Sequence, residues 1–337
     1  MDDQSRRCEA NQAAAVQALA AGDLAHLAQA FADAGCTVGL PAPGMLQLSP
    51  PSAGKQAMRL LLSVGIHGDE TAPIEILSRI LHDLAQAPGR LAPNLELMLA
   101  VGNMDAIAAG RRFVEADLNR MFRDERGDLE GTAEARRADE IMRATAQFFD
   151  GGRENWHLDL HTAIRPSHYP AFAVVPDAIP APAKRALLGC LGAGGIEAAI
   201  LNSASAGTFS ACTAERFGAV SATVELGQIG RFGCNDLERF SAASGMIDAF
   251  LTAGVPPSGA PPAVFRVAQQ LVKHSADFRM AFDRTTWNFT KMQPGELIAE
   301  DGDVVYRVGS EPEYVVFPNP DVRPGLRAGL MVVESDI

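Results

Sequence analysis

An α/β layer fold with a mostly parallel or mixed sheet flanked by helices, followed by a small β-rich domain, is what this sequence predicts. Three observations carry that expectation. Apolar strand-like runs alternate with helix-patterned segments over residues 55 to 252, the signature of a parallel sheet covered by helices. A break rich in proline and glycine, "AGVPPSGAPP", follows at 253–262. After it come only short strand-like runs: "AVFRVAQQLV", "ELIAEDG", "DVVYRV", "EYVVFP" and "GLMVV". The expected division is a catalytic domain over 1–254 and a β-rich domain over 255–337.

The elements follow in order. Residues 9–31 are alanine-rich and read as a helix. "AMRLLLSVG" (57–65) is a short apolar run closed by glycine, hence a buried strand. "TAPIEILSRILHDLAQA" (71–87) has apolar residues at helical spacing, with Pro73 tolerated in the first turn. "NLELMLAVGN" (94–103) is strand-like, and 131–149 is a helix. "NWHLDLH" (155–161) and "YPAFAVVP" (169–176) read as strands, 181–191 as a helix, and "GAVSATVELG" (218–227) as a strand ending at a glutamate. Asp301-Gly302 marks a turn in the tail.

Composition narrows the function. The 337 residues carry 29 lysines and arginines against 41 aspartates and glutamates, a net charge of −12. A nucleic-acid partner wants a basic face, so that class is disfavoured. A small anionic ligand is not, because a local arginine cluster can focus positive potential. The 5 cysteines are odd in number, widely spaced and without C-x-x-C. That fits a reducing cytoplasm better than a disulfide framework. The polar start "MDDQSRRCEANQ" lacks the apolar core of a signal peptide, and no apolar run approaches the roughly 20 residues of a membrane helix. A cytoplasmic protein is expected. A homo-oligomer is left open.

The chemistry begins at "GIHGDE" (65–70), where His67 and Glu70 follow the end of a strand. Alone, H-x-x-E occurs often by chance. "HLDLH" (157–161) adds His161 at the end of another strand. A close pair on one loop plus a distant third ligand suits a catalytic zinc, which takes three protein ligands and keeps an open position. In open α/β sheets ligands bind beyond the carboxyl ends of strands, where His67, His161 and Glu225 all fall. Asp159, two residues before His161 on the same strand face, can accept the free N–H of a ligating histidine. His157 shares that face and ranks below His161. Glu225 in "TVELGQ" ends an apolar strand, where a lone charge is costly unless paired or at a site. It is the candidate base for a water. "AGRRFVEADLNRMF" (109–122) brings Arg111, Arg112, Asn119 and Arg120, with forks suited to carboxylates. Its interleaved Phe113, Val114, Leu118 and Met121 argue against a merely solvated face. Arg165, four residues after His161, adds another cation, and His168 lies too far along to prefer as a ligand.

"GIHGDETAPIEIL", "NMDAIAAGRRFVEADLNRMF", "DLHTAIR" and "VELGQIGRFGCNDLERF" together resemble the succinylglutamate desuccinylase and aspartoacylase family. "DLHTAIR" and the tail "GELIAEDGDVVYRV…VVFPNPDVRPGLRAGLMV" are most similar to its succinylglutamate desuccinylase branch. The likeness runs from about residue 60 to the end of the sequence. It implies a zinc-carboxypeptidase-like α/β domain with a C-terminal β domain. It implies one zinc per chain on His67, Glu70 and His161, and Glu225 as general base and then acid. Arg112, Asn119 and Arg120 stand where the family holds its anionic substrate, with Arg112 also beside the reacting carbonyl. The implied reaction is hydrolysis of N-succinylglutamate to succinate and glutamate, the last step of arginine catabolism by the succinyltransferase route. Asp69 departs from the family, which often has asparagine there. A later family arginine finds only Arg216 and Arg231 as candidates. The rivals are a deacylase of another N-acyl amino acid such as N-acetylaspartate, a zinc carboxypeptidase, and a non-catalytic metal- or carboxylate-binding module. The last of these predicts no deprotonatable group near the metal, so Glu225 counts against it.

Overall fold

The structure is a computed structural model and describes residues 3–151, 153–203 and 207–336. Its scaffold is one mixed sheet of twelve strands flanked by helices. Strands β1 (Thr37–Gly39), β2 (Met45–Ser49), β3 (Met58–Val64), β4 (Leu95–Val101), β5 (Asn155–Ala163), β6 (Ala171–Pro176), β7 (Ala198–Asn202) and β8 (Val220–Gln228) come from the first part of the chain. Their order is β1-β2-β4-β3-β5-β8-β6-β7. The central pairs β4–β3, β3–β5 and β5–β8 are parallel.

These central strands are long apolar runs because both sheet faces are covered. Leu60, Leu62 and Val64 of β3 face one core, with Leu97, Leu99 and Val101 of β4 and Leu158 and Leu160 of β5. Helices α1 (Asp3–Ala20), α2 (Ala25–Asp33), α3 (Thr71–Gln86), α6 (Ala181–Ala193) and α8 (Ser241–Ala253) close this face. Leu61 and Met98 point the other way. They meet α5 (Ala133–Phe148), α7 (Phe209–Phe217) and the segment around Leu118–Phe122. The short α4 (Met104–Ala109) completes the helices, with its N-terminus capped by the Asn103 side chain.

The helix expected over 9–31 is two helices. The chain turns at Gly22, whose φ of +68° is readily adopted only without a side chain. A Cβ there would also lie 2.2 Å from Met104 Sδ.

Residues 255–262 are not a loose tether: Gly259 N donates to Gly189 O of α6 at 2.9 Å. Beyond them β9 (Ala263–Val272) pairs in parallel with β7 and extends the sheet. β15 (Arg327–Glu334), β14 (Glu313–Val316) and β11 (Thr290–Met292) continue it, all antiparallel. A second small sheet of β10 (Arg279–Met280), β12 (Leu297–Asp301) and β13 (Val304–Arg307) packs across a core of Leu271, Phe278, Ile298, Val315 and Met331. The turn between β12 and β13 follows Asp301, with Gly302 at φ +60°. The C-terminal part is thus β-rich, and its first strand is a member of the main sheet. Among the described residues no helix is long and apolar enough to cross a membrane.

Candidate active site

Strand parity builds the site. In β5, Trp156, Leu158 and Leu160 enter the large core, so His157, Asp159 and His161 point to the opposite face. In β8, Val220, Ala222 and Val224 enter the same core and leave Ser221, Thr223 and Glu225 on that opposite face. The parallel register sets His157 beside Ser221, Asp159 beside Thr223, and His161 beside Glu225. β3 adds Ser63 next to Asp159. A buried polar stripe is tolerable only if its members are hydrogen-bonded, and the first turns of α7 meet this need. Ser221 Oγ donates to Ser210 O at 2.7 Å, Thr223 Oγ1 lies 2.7 Å from Ser210 Oγ, and His157 Nδ1 lies 2.9 Å from Thr213 Oγ1. Burial pushes the His157 imidazole down to about 4.

The loop after β3 carries His67 and Glu70 across to this stripe. Gly68 passes so close to α4 that a Cβ would lie 2.2 Å from the Ala106 carbonyl carbon. Its N–H donates to Arg112 O at 3.1 Å. No larger residue fits at position 68, which ties the placement of the loop to the backbone of 106–112. A β-bridge of Glu70 with Gly230, and Thr71 Oγ1 donating to Gly230 O at 2.9 Å, bind the loop after β8 to the start of α3.

His67, Glu70 and His161 converge, all buried, with one ligand atom from each lying within 4.8 Å of the others. Glu70 Oε1 is 2.7 Å from His67 Nδ1 and Oε2 is 2.9 Å from His161 Nδ1. Oε1 also accepts from Arg112 Nη1 at 2.8 Å, and Oε2 from Thr162 N at 3.0 Å. Both imidazoles point Nδ1 at the centre, and each Nε2 meets a further carboxylate. These are Asp117 Oδ1 at 2.9 Å for His67 and Asp159 Oδ2 at 3.0 Å for His161. Asp159 is itself held by Ser63 Oγ, which donates to Oδ1 at 2.5 Å and lies 2.8 Å from His157 Nε2.

The electrostatics favour positive charge at the centre. Burial alone would lower the His161 imidazole, but Asp159 and Glu70 outweigh it and hold it well above its ordinary range. Burial would raise Glu70 and Asp117, yet the imidazoles outweigh it in both, joined at Asp117 by Arg120 and Arg112. Both carboxyls sit below the usual range. Two imidazoles oriented by carboxylates around a third carboxylate are the donor set and outer support of a metal centre. The residues present therefore fit a divalent ion.

Glu225 differs from these acids. It is 6% exposed, and its Oε2 has no hydrogen-bond partner among the described residues. Burial and the nearby Glu70 charge push its carboxyl up to about 7.

The other sequence-selected residues divide. Arg112 lies at the cluster, bonded to Glu70. Asn119 is buried, its amide oxygen accepting from Phe209 N at 3.0 Å, so its NH₂ is the uncommitted end. Arg120 is half-buried and donates through Nη1 to Asn119 O at 2.9 Å. Arg165 donates through Nε to Pro318 O of the C-terminal part at 2.7 Å. Arg111 and Arg231 are exposed. Arg216 pairs with exposed Asp124 at 2.8 Å. His168 stacks on Trp287 at 5.2 Å, outside the cluster. Asp69 is half-buried, with Oδ1 buried and unpartnered. Sequence reading passed over Asp117 and Ser63. The available signal for Asp117 was an acid between the arginines of an arginine-rich motif.

These features define a class: an α/β layer protein whose buried His–Glu–His cluster can hold a metal ion at the carboxyl ends of parallel strands. The chain belongs to the succinylglutamate desuccinylase/aspartoacylase family. It matches the family's catalytic domain over residues 56–251 and the AstE/AspA barrel-sandwich hybrid domain over 260–335. It is 41% identical over 297 residues to a succinylglutamate desuccinylase of Burkholderia pseudomallei, covering 87% of this chain and 84% of that one. The counterpart from Serratia proteamaculans is 39% identical over 295 residues, covering 87% and 89%. Among solved structures, succinylglutamate desuccinylase from Chromobacterium violaceum superposes with a TM-score of 0.77 at 36% identity, covering 93% of this chain and 98% of that one. That from Vibrio parahaemolyticus gives 0.81 at 32% identity, covering 90% and 89%. Murine aminoacylase 3, at 16% identity and a TM-score of 0.56 over 84% of this chain and 97% of that one, shares the fold.

Proposed function

We propose that this protein hydrolyses the amide bond of N-succinyl-L-glutamate, releasing succinate and L-glutamate, with one zinc ion per chain on His67, Glu70 and His161. The observation that carries the reading is Glu225: a buried carboxylate with a free oxygen, beside a cluster built for a cation. The relatives named succinylglutamate desuccinylase support the substrate. Zinc bound there would polarise the amide carbonyl and lower the pKa of water. Glu225 takes a proton from the attacking water and returns it to the leaving amine. Burial and the Glu70 charge push its carboxyl up, and a bound cation would draw it back down toward the range of a base. Arg112 stands beside Glu70 where a developing oxyanion needs a donor. Asp159 and Asp117 keep the imidazoles aimed inward. Asn119, Arg120 and Arg165 receive the carboxylates of the substrate. We assign residues 1–254 to the catalytic unit and 255–337 to the β-rich unit. The reaction closes arginine catabolism by the succinyltransferase route, in the cytoplasm.

The test joins metal and substrate. Purified protein should hold near-stoichiometric zinc and lose activity to a chelator, with zinc restoring it. Its kcat/KM for N-succinylglutamate should exceed that for N-acetylglutamate and N-acetylaspartate by at least about 10²-fold, because the missing carboxylate leaves buried cations unpaired. Full activity in metal-free protein would remove the zinc chemistry. N-acetylaspartate as the best of the three would remove the substrate assignment.

A further inference from the structure

Three half-buried arginines lack the acidic partner that the other buried or half-buried arginines among the described residues possess. Arg59, Arg112, Arg126, Arg137 and Arg153 each pair with a carboxylate. Arg120, Arg165 and Arg327 make no ion pair among the described residues, although all three are half-buried. Arg165 goes further: its Nη1 is buried with no hydrogen-bond partner.

Backbone contacts bring the C-terminal member of this group to the site. Arg327 opens β15, where its register partner is Val272 of β9. Asn319 N donates to Ala328 O at 2.7 Å, so the 318–319 segment lies against the start of β15. Arg165 donates to Pro318 O on that same segment. The charged neighbours of Arg327 are Arg120 and Asp117. Asp117 is shared rather than dedicated: its Oδ1 meets His67 Nε2 and Asn119 N, and it makes no ion pair with Arg327 among the described residues. Burial and the like charge of Arg120 push the Arg327 guanidinium down to about 10, so it still carries a full charge at neutral pH.

We propose that Arg327, contributed by the β-rich C-terminal part, joins Arg120 in seating one substrate carboxylate remote from the scissile amide, and so acts as a specificity-determining residue. Holding two guanidiniums together without a carboxylate is unfavourable, and an incoming anion relieves it. A planar fork suits a carboxylate better than an ammonium does. Arg112, paired with Glu70 at the cluster, serves the reacting end, whereas Arg120 and Arg327 serve a remote end. This inference rests on the proposed function for the nature of the substrate, though not for the presence of an anion seat.

The test uses the zinc-loaded full chain and the variants Arg327→Gln and Arg327→Lys, with N-succinyl-L-glutamate and two analogues each lacking one carboxylate. N-butyryl-L-glutamate lacks the succinyl carboxylate, and N-succinyl-L-norvaline lacks the side-chain carboxylate. Arg327→Gln should lower kcat/KM for N-succinylglutamate by at least about tenfold, mainly through KM, with Lys recovering part of the loss. On one analogue the variant and the parent should agree within about twofold, which identifies the carboxylate that Arg327 meets. Unchanged kinetics on N-succinylglutamate, or an equal loss on both analogues, would overturn the assignment in favour of a structural role. If the parent protein does not cleave N-succinylglutamate, the functional reading fails by itself. Calorimetry with tricarballylate, a tricarboxylate without an amide, then decides Arg327 alone. Binding weakened at least about tenfold in Arg327→Gln supports the seat. Equal dissociation constants, or no binding to either protein, remove it.

Discussion

Replacing Glu225 by glutamine should slow the enzyme and stabilise the protein at once. The swap keeps volume and burial and removes the charge. On the kinetic side the loss is that of a general acid–base, about 10²–10⁴ in kcat. On the stability side, the folded carboxyl is pushed up to about 7 from an ordinary 4.5. At about 1.36 kcal/mol per pH unit, that rise corresponds to a penalty on the order of 3 kcal/mol. The sign follows from proton binding. Between pH 4.5 and 7 the folded chain holds a proton that the unfolded chain has released, so Glu225 makes stability fall as pH rises. Its penalty is absent below pH 4.5 and complete above pH 7. Glu225→Gln should therefore match the parent near pH 4.5 and gain as pH rises to 8. The assay is urea unfolding of chelated protein at several pH values, with kcat measured on the zinc-loaded form. A bound cation offsets the same penalty, so the gain should shrink when zinc is present. A parent-like kcat, or an advantage over the parent no larger at pH 8 than at pH 4.5, would refute the placement of a lone buried carboxylate beside the cluster.

Two further changes probe the surroundings. Asp159→Asn should weaken zinc binding by about 10–100-fold by loosening the orientation of His161, measured by competition with a chromogenic chelator. Unaltered affinity would show that Ser63 and the strand hold the ring without it. Asp69→Asn removes a half-buried negative charge beside Arg112 and should lower KM for N-succinylglutamate by about two- to tenfold, since a charge at such a distance is worth about 1 kcal/mol. An unchanged or raised KM would mean that Asp69 is screened from the substrate.

Much of this arrangement was legible in the residues because it follows strand parity. "NWHLDLH" alternates apolar and polar side chains, and that alternation is what puts His157, Asp159 and His161 on one face of β5. The runs that became β3 and β4 were readable because strands covered on both faces need continuous apolar residues. β1 and β2 carried no such signal. β1 is an edge strand of 3 residues, and β2, of 5 residues, lies between it and β4. The break at Gly22 was hidden by the alanine-rich pattern on either side. Asp117 was invisible for a different reason: its partner His67 lies 50 residues away. Arg327 comes near Arg120 and Asp117 because the chain returns through β9 and β15 to extend the main sheet.

The charges resolve into two zones of opposite sign, and this explains how a chain of net charge −12 can serve an anionic substrate. Glu70, Asp117 and Asp159 crowd the floor of the site and bias it toward a cation. Arg120 and Arg327 lie beside Asp117 without an ion pair among the described residues, and Arg165 donates to the backbone of the C-terminal part. At physiological salt, exposed charges beyond about 8 Å are largely screened, whereas half-buried ones are screened much less. The acidic exterior therefore weighs little on a ligand already at the mouth, and the local arginines decide its binding. The segment 111–120 links the zones: Arg112 meets Glu70, Asp117 meets His67, and Arg120 lies near Asp117 and Arg327. A displacement of this one segment would disturb metal geometry and substrate grip together. Glu134, accepting from the N–H groups of Val114, Glu115 and Ala116, and the Asn119 amide, accepting from the first N–H of α7, hold it in place.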